Sequence, residues 1–271
     1  MQSGDSNDSR NSYSGKGPAQ HCAGPLVLYQ AGLFYFYASI DTYMTGTLYI
    51  VPTPIGNLED MTLRAIRILK EVDLVLCENT SATQRLFQEY DITTATSVFY
   101  AQTGIKNIEK ALALLDEGKQ VALVSDAGTP TISDPGVLLV DRVRSELPEV
   151  TVVALPGASA LTTALSASGI SSSTFTFYGF LPHKKGRETI FTAIHESKHA
   201  SVFYESVHRI EKTLDSLALV LAPTRRVVIA RELTKLYEEV VRGLASEVKD
   251  HFVAHPDHIR GEFVVIVEGK E

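Results

Sequence analysis

From Thr47 onward the chain alternates short apolar runs with stretches in which apolar residues recur every three or four positions. The runs Leu48-Tyr49-Ile50-Val51, Leu74-Val75-Leu76-Cys77, Ser97-Val98-Phe99-Tyr100, Val121-Ala122-Leu123-Val124 and Val150–Leu155 have the length and composition of buried strands. Between them Leu63, Ile66 and Leu69 fall on one helical face behind Thr62, a candidate N-cap. Thr83–Glu89 reads as helix, and Ile108, Leu112 and Leu115 line a further helix that Gly118 ends. Another helix begins near Gly136. Strands alternating with helices in this way predict a mostly parallel sheet covered on both faces.

Pro156-Gly157 interrupts the pattern and a second series follows. Ala158–Ser168 reads as a helix of small residues capped by Gly169. Phe175–Tyr178, Ser201–Tyr204, Val227–Ala230, Glu238–Arg242 and Glu262–Val267 read as strands, with helices near Arg187–His195 and Ile210–Leu221. The last strands have short connections, which predicts that part of this second sheet is antiparallel. The organisation expected is therefore two α/β domains, residues 44–156 and 157–271, with a cleft between them and no internal repeat.

The start of the chain differs in kind. Residues 1–20 are rich in Ser, Asn, Gly and Asp, a composition that predicts disorder. Pro25–Ile40 is apolar and aromatic but short for a membrane span. Met44 stands directly before the first strand, so residues 1–43 read as an upstream extension and Met44 as the natural start. A net charge of -7 excludes a global basic field for nucleic acid and requires any such contact to use a local patch. Cys22 and Cys77 form no CxxC and no ligand cluster, which argues against a disulfide framework or a metal site and for a reducing cytoplasm.

Candidate chemistry lies in three loops, each following a strand of the first series: Pro52-Thr53-Pro54-Ile55-Gly56-Asn57, Ser125–Gly136 and Pro156-Gly157-Ala158-Ser159. Loops at the carboxyl ends of strands are where open α/β sheets bind ligands. Glycine and proline make these turns stiff and open to close approach by a ligand. The G-x-G-x-x-G fingerprint, the P-loop, H-E-x-x-H and G-x-S-x-G are all absent. Asp134-Pro135 reads as N-cap and first residue of the next helix.

These loops, as Val51-Pro52-Thr53-Pro54-Ile55-Gly56-Asn57-Leu58, Ser125-Asp126-Ala127-Gly128-Thr129-Pro130 with Ile132-Ser133-Asp134-Pro135-Gly136, and Pro156-Gly157-Ala158-Ser159-Ala160, resemble the tetrapyrrole methylase superfamily. Within it they are most similar to the ribosomal RNA small subunit methyltransferase I family. Gly179-Phe180-Leu181-Pro182, Phe203-Tyr204-Glu205-Ser206 with His208-Arg209, Ala230-Arg231-Glu232-Leu233-Thr234-Lys235 and Gly261-Glu262-Phe263-Val264 follow in the same order. The resemblance spans Thr47–Val267. It implies an α/β fold of two domains, a mostly parallel first sheet, a mixed second sheet and a cleft between them. It implies S-adenosyl-L-methionine as cofactor and 2'-O-methylation of a cytidine ribose in small-subunit rRNA. It also implies a homodimer in a bacterial cytoplasm; no membrane and no metal partner is expected beside it. A tetrapyrrole or other non-RNA acceptor, or a silent cofactor-binding protein, is the alternative.

On that resemblance Pro52, Pro54, Ser125, Asp126, Ala127, Gly128, Thr129, Ser133, Ala158, Ser159 and Ala230 are the expected cofactor-binding residues. A ribose hydroxyl needs a base or a stabilised alkoxide; Glu78, Glu232 and Asp126 are candidate bases, and Lys235, Arg64 and Arg231 candidate cations, with Glu78, Glu232 and Lys235 the preferred set. Glu232 and Lys235 stand three apart and can equally pair with each other. Lys184, Lys185, Arg187, His208 and Arg209 are the expected RNA contacts, with Arg225-Arg226 a further basic pair. The chain departs from the family's usual Glu-Asp-Thr-Arg and following His at Glu78-Asn79-Thr80-Ser81-Ala82, and from its usual Tyr-His-Glu type of segment at Tyr100–Gly104.

Overall fold

The computed structural model describes residues 45–99, 104–134 and 136–270, which belong to one compact unit, Tyr43–Glu271. The expectations for residues 1–43, for Met44, for Tyr100–Thr103 and for Pro135 lie outside the described residues.

The first series forms a sheet of five parallel strands, β1 (Thr47–Ile50), β2 (Leu74–Cys77), β3 (Thr96–Val98), β4 (Gln120–Leu123) and β5 (Thr151–Ala154), in the order β3-β2-β4-β1-β5. Period-two alternation splits its side chains between two apolar layers. Leu48, Ile50, Leu74, Leu76, Val121 and Leu123 pack on one face, while Val51, Val75, Cys77, Ala122 and Val124 pack on the other. Helices α1 (Leu63–Glu71), α2 (Thr80–Glu89), α3 (Gly104–Asp116) and α4 (Val137–Glu146) connect the strands. Thr62 caps α1 as expected, its hydroxyl accepting from the Ala65 amide at 3.1 Å. The buried stripe of that helix is Ala65, Ile68 and Leu69; Leu63, placed on it by the sequence pattern, is 87% exposed. A helix's first residue lies at its open end, where nothing need cover it. Asn79 opens α2 three residues before the expected start, its side chain accepting from the amides of Ser81 and Ala82.

The second sheet is mixed. Strands β6 (Phe175–Phe180), β7 (Ala200–Ser206), β8 (Arg226–Arg231), β9 (Glu239–Leu244) and β10 (Glu262–Val267) lie in the order β6-β7-β10-β8-β9, and only the β6–β7 pair is parallel. Helix α5 (Ala160–Ser168) ends at Gly169, whose φ of 64° is the left-handed cap expected there. Its Ala164 and Leu165 pack with Val202, Val228, Ala230 and Val264 on one face of the sheet. Helices α6 (Arg187–Glu196), α7 (Ile210–Val220) and α8 (Ala245–Ala254) cover the other. Helix α8 is absent from the sequence reading. It follows β9 with no intervening turn residue, and its start is marked by the Glu247 carboxylate accepting from the Leu244 amide at 2.8 Å. The fold is thus two α/β sheets with a cleft between them, and none of the described helices is long and apolar enough to cross a membrane.

Candidate functional site

Strand order decides where the three loops meet. They leave the carboxyl ends of β1, β4 and β5, which are the adjacent strands β4-β1-β5. Thr53 and Gly128 join the first two loops by a pair of backbone hydrogen bonds, at 3.0 and 2.9 Å. The Thr53 hydroxyl donates to the Ser125 carbonyl, the Ser125 hydroxyl to the Gly128 carbonyl, and the Thr129 hydroxyl to the Ala158 carbonyl, each at 3.0 Å. Gly128 adopts φ 83°, and a Cβ there would sit 3.3 Å from Ile55. At Gly157 a Cβ would come within 2.6 Å of Pro52 Cβ. Pro52, buried against Gly157, and Ala158, through its carbonyl, therefore hold the loops together.

Where these loops approach the second sheet there are two adjoining hollows. The first, of about 230 Å³, is lined by Gly128, Thr129, Ser133, Ser159 and Ala230, by the apolar Ile55, Phe180, Tyr204 and Leu233, and by Glu78, Asp126 and Asp134. The second, of about 410 Å³, is lined by Pro54, Ser125, Ala82 and Arg85 among others. Ile55, Asp126, Ala127, Lys235 and Glu262 face both. The two sheets are tied at this point by the Asn57 amide, which donates to the Thr234 hydroxyl at 3.1 Å.

The carboxylates of the first hollow crowd one another. Burial, then the charges of Asp134 and Asp126, push the Glu78 carboxyl above the ordinary carboxylate range. Burial and the Asp126 charge do the same to Asp134. Asp126 accepts the Asn79 amide on Oδ1 at 3.1 Å. The reading of Asp134 as a helix cap does not hold. Helix α4 starts at Val137 with Gly136 in the capping position, and the Asp134 side chain turns to the hollow instead.

The preferred catalytic trio separates. Lys235 reaches the junction of the two hollows, with Nζ 2.9 Å from Glu232 Oε1 and 3.0 Å from Glu262 Oε2. Burial alone would lower its pKa, but the hydrogen bonds to Glu232 and Glu262 outweigh that and raise it, so Lys235 is held as a cation. Glu232 lines neither hollow. Its Oε1 also accepts the Glu262 amide, at 3.2 Å, so it positions Lys235 rather than facing a substrate. Glu78 faces the first hollow only. Arg64 is exposed on α1, and Arg231 is buried against Glu239 at 2.6 Å.

The expected RNA contacts divide in the same way. Lys184, Lys185 and His208 are exposed. Arg187 and Arg209 converge on Glu205, whose side chain is 0% exposed, at 2.9 and 2.8 Å; the Thr213 hydroxyl donates to the same carboxylate at 2.7 Å. A buried carboxylate needs this compensation, so the structure commits both arginines to the fold. Arg225 is buried and donates to the carbonyls of Ile194 and His195, and Arg226 pairs with Glu268.

Comparison with known proteins follows the same lines. The family profile of Tetrapyrrole (Corrin/Porphyrin) Methylases matches residues 47–249. The ribosomal RNA small subunit methyltransferase I of Thermotoga maritima is 45% identical over 226 residues, 83% of this chain and 100% of that protein. That of Bacillus subtilis is 46% identical over 227 residues, 83% of this chain and 75% of that protein. Among solved structures, cobalt precorrin-4 methyltransferase, a cobalamin biosynthetic enzyme, superposes with a TM-score of 0.59 at 18% identity over 83% of this chain and 95% of its own. Uroporphyrin-III C-methyl transferase from Thermus thermophilus, complexed with S-adenyl homocysteine, gives 0.57 at 19% identity over 82% and 97%.

Proposed function

Because this chain belongs to the ribosomal RNA small subunit methyltransferase I family, within the tetrapyrrole methylases, we propose that it is an S-adenosyl-L-methionine-dependent methyltransferase that methylates the 2'-oxygen of a cytidine ribose in small-subunit rRNA. The observation that carries the reading is the first hollow. It combines an apolar and aromatic wall, Ile55, Phe180, Tyr204 and Leu233, with the carboxylates of Glu78, Asp126 and Asp134. That combination suits a flat heteroaromatic base joined to a sulfonium and an ammonium cation, and it repels phosphate. Gly128, with no side chain and positive φ, puts bare backbone on the wall of the hollow while its N–H and C=O tie the loops together.

The cofactor, when bound, supplies an electrophilic methyl group. The chain's own contribution is to hold the acceptor hydroxyl in line with it, which is where most of the acceleration of a direct displacement lies. Residues that face both hollows are the ones able to touch donor and acceptor; among them Asp126, Lys235 and Glu262 carry charge, and Glu262 is paired with Lys235. Lys235, kept protonated by Glu232 and Glu262, stabilises the negative charge that grows on the ribose oxygen. Asp126, with Oδ1 fixed by the Asn79 amide, receives the proton that oxygen loses. Glu78 and Asp134 serve the cationic side of the cofactor. Lys184 and Lys185 meet phosphate, which gives affinity and register without base choice. The family resemblance further supports a homodimer acting in the cytoplasm.

Tritiated methyl transfer from labelled cofactor to small ribosomal subunits, free rRNA and a tetrapyrrole tests this. Label is expected in small-subunit rRNA and, after digestion, in 2'-O-methylcytidine. Label only in the tetrapyrrole, or cofactor binding with no transfer to any acceptor, would overturn the assignment.

A further inference from the structure

On the face of the second sheet away from the hollows, Glu239, His251 and His258 turn one ligand atom each toward a common point. These atoms all lie within 4.8 Å of one another. His251 Nε2 is 3.0 Å from Glu239 Oε1, and His258 Nδ1 is 3.1 Å from the same oxygen. We propose that these three side chains bind one divalent transition-metal ion, Zn²⁺ by preference, and that the ion fixes the base of the loop carrying Lys235.

The chemistry of the donors favours this class of ion. Two imidazoles and one carboxylate form a borderline-soft set suited to Zn²⁺ and unsuited to Mg²⁺ or Ca²⁺. Metal–ligand lengths near 2.0–2.1 Å in a tetrahedral shell put neighbouring ligand atoms about 3.3 Å apart. The separations from the carboxylate oxygen are already within a few tenths of an ångström of that, and the two imidazole nitrogens, no more than 4.8 Å apart, close the remainder by side-chain rotation. The two imidazole planes cross at 56° instead of stacking, as rings converging on one point do.

Supporting groups stand behind two of the three ligands. Arg231 Nε holds Glu239 Oε2 at 2.6 Å; His258 Nδ1 lies 3.0 Å from that oxygen and 3.1 Å from Oε1, and Oε1, which both imidazoles approach, is the oxygen offered to the ion. The Asp257 carboxylate lies 3.9 Å from His258 Nε2, on the side where a metal-bound imidazole carries its remaining proton. Partners of this kind orient ligands and strengthen binding. His255 stacks on His258 at 5.1 Å, but its Nδ1 is turned to the His251 carbonyl at 2.9 Å, so it stands outside the ligand set.

The position gives the site a consequence. Arg231 and Glu239 are paired residues on β8 and β9, and the segment from Glu232 to Glu238 leaves from one and returns to the other. That segment brings Leu233 and Lys235 to the hollows. An ion joining Glu239 to α8 (through His251) and to the turn at Pro256–His258 therefore closes the loop at its root.

Calorimetric titration of the tag-free, EDTA-stripped full chain with Zn²⁺ tests the proposal, together with the visible spectrum after Co²⁺ addition. One ion per chain is expected, with a rise in Tm on Zn²⁺ addition and d–d bands of low-coordinate Co²⁺. His251→Gln and His258→Gln keep an amide donor for Glu239 but remove the ligand, and each is expected to weaken Zn²⁺ at least a hundredfold, beyond the ~10–100-fold typical of a supporting partner. Glu239→Gln should do the same, and His255→Gln should leave affinity within about threefold, since its ring nitrogen points elsewhere. No saturable uptake by the unaltered chain would overturn the site, as would uptake that survives the His251→Gln, His258→Gln double variant. If one variant fails to fold by circular dichroism, the other decides.

Discussion

At the scale of single residues, Asp134 shows how a local signal misleads. Asp before Pro is a strong helix-start pattern, yet the strand-end loop runs on to Gly136 and leaves the carboxylate half-buried beside Asp126. Asp134 and Glu78 both have folded pKa values raised above the ordinary range. A carboxyl with a raised folded pKa binds more protons in the native state than in the unfolded chain. Stability therefore falls as pH rises from the ordinary carboxylate value through the folded one. Asp134→Asn removes that penalty. Its Tm should exceed that of the unaltered chain at about pH 7 and match it at about pH 3, where carboxyls are protonated in both states. The same variant should bind S-adenosyl-L-methionine more weakly, because one of the carboxylates facing the cation is gone. Thermal melts across this pH range with calorimetry at neutral pH check both halves; a Tm gain without an affinity loss would remove Asp134 from the cofactor site.

Among elements, the junction of β7, α6 and α7 carries the clearest energetic signature. Glu205 on β7 is fully buried, Arg187 begins α6, Arg209 caps α7, and Thr213 stands on α7. Removing one partner of a buried ion pair leaves a charge without compensation, at a cost of roughly 3–5 kcal/mol. Arg209→Ala leaves Glu205 with Arg187 and Thr213, so its loss in urea unfolding should fall at the lower end of that range, about 3 kcal/mol. Lys184→Ala and Lys185→Ala, on an exposed loop, should change stability by less than about 0.5 kcal/mol. Each should instead lower the salt dependence of rRNA binding by about one counterion. The reverse pattern, stability lost at the lysines and salt dependence lost at Arg209, would restore the arginine to the RNA surface. Helix α8 belongs to this scale as well. Its Ala245, Val248 and Phe252 are buried at helical spacing, but Gly243 is absorbed into β9 and no residue separates the strand from the helix, so the change from a period of two to 3.6 is blurred at the boundary.

In the whole molecule, the contact between the loop after β1 and the loop after β8 joins the sheets at the site. A Cβ at Gly56 would lie 2.4 Å from Lys235 Cγ and 2.8 Å from the Thr234 hydroxyl, so Gly56→Ala must displace Lys235. Methyl transfer should fall at least tenfold, about 1.4 kcal/mol of barrier, with cofactor affinity nearly unchanged, since Gly56 lines only the second hollow. Single-turnover kinetics beside cofactor titration separate the two, and equal losses in both would place Gly56 at the cofactor. The sequence by itself determined the strands, most helices, the division into a parallel and a mixed sheet, and the three loops. Each follows from apolar period, turn residues and connection length, which are local properties. Only the tertiary structure decided which charges are free. Arg187, Arg209, Arg225 and Arg231 look alike in sequence to Lys184 and Lys185, but the strand order β6-β7-β10-β8-β9 and the helices laid on it bring carboxylates or carbonyls to the arginines, while the two lysine side chains are exposed. The same holds for Glu239, His251 and His258, which are up to 19 residues apart in the chain and meet because α8 folds back over β9. Charge pairing depends on neighbours in space, and those are fixed by packing the whole chain, not by any window of it.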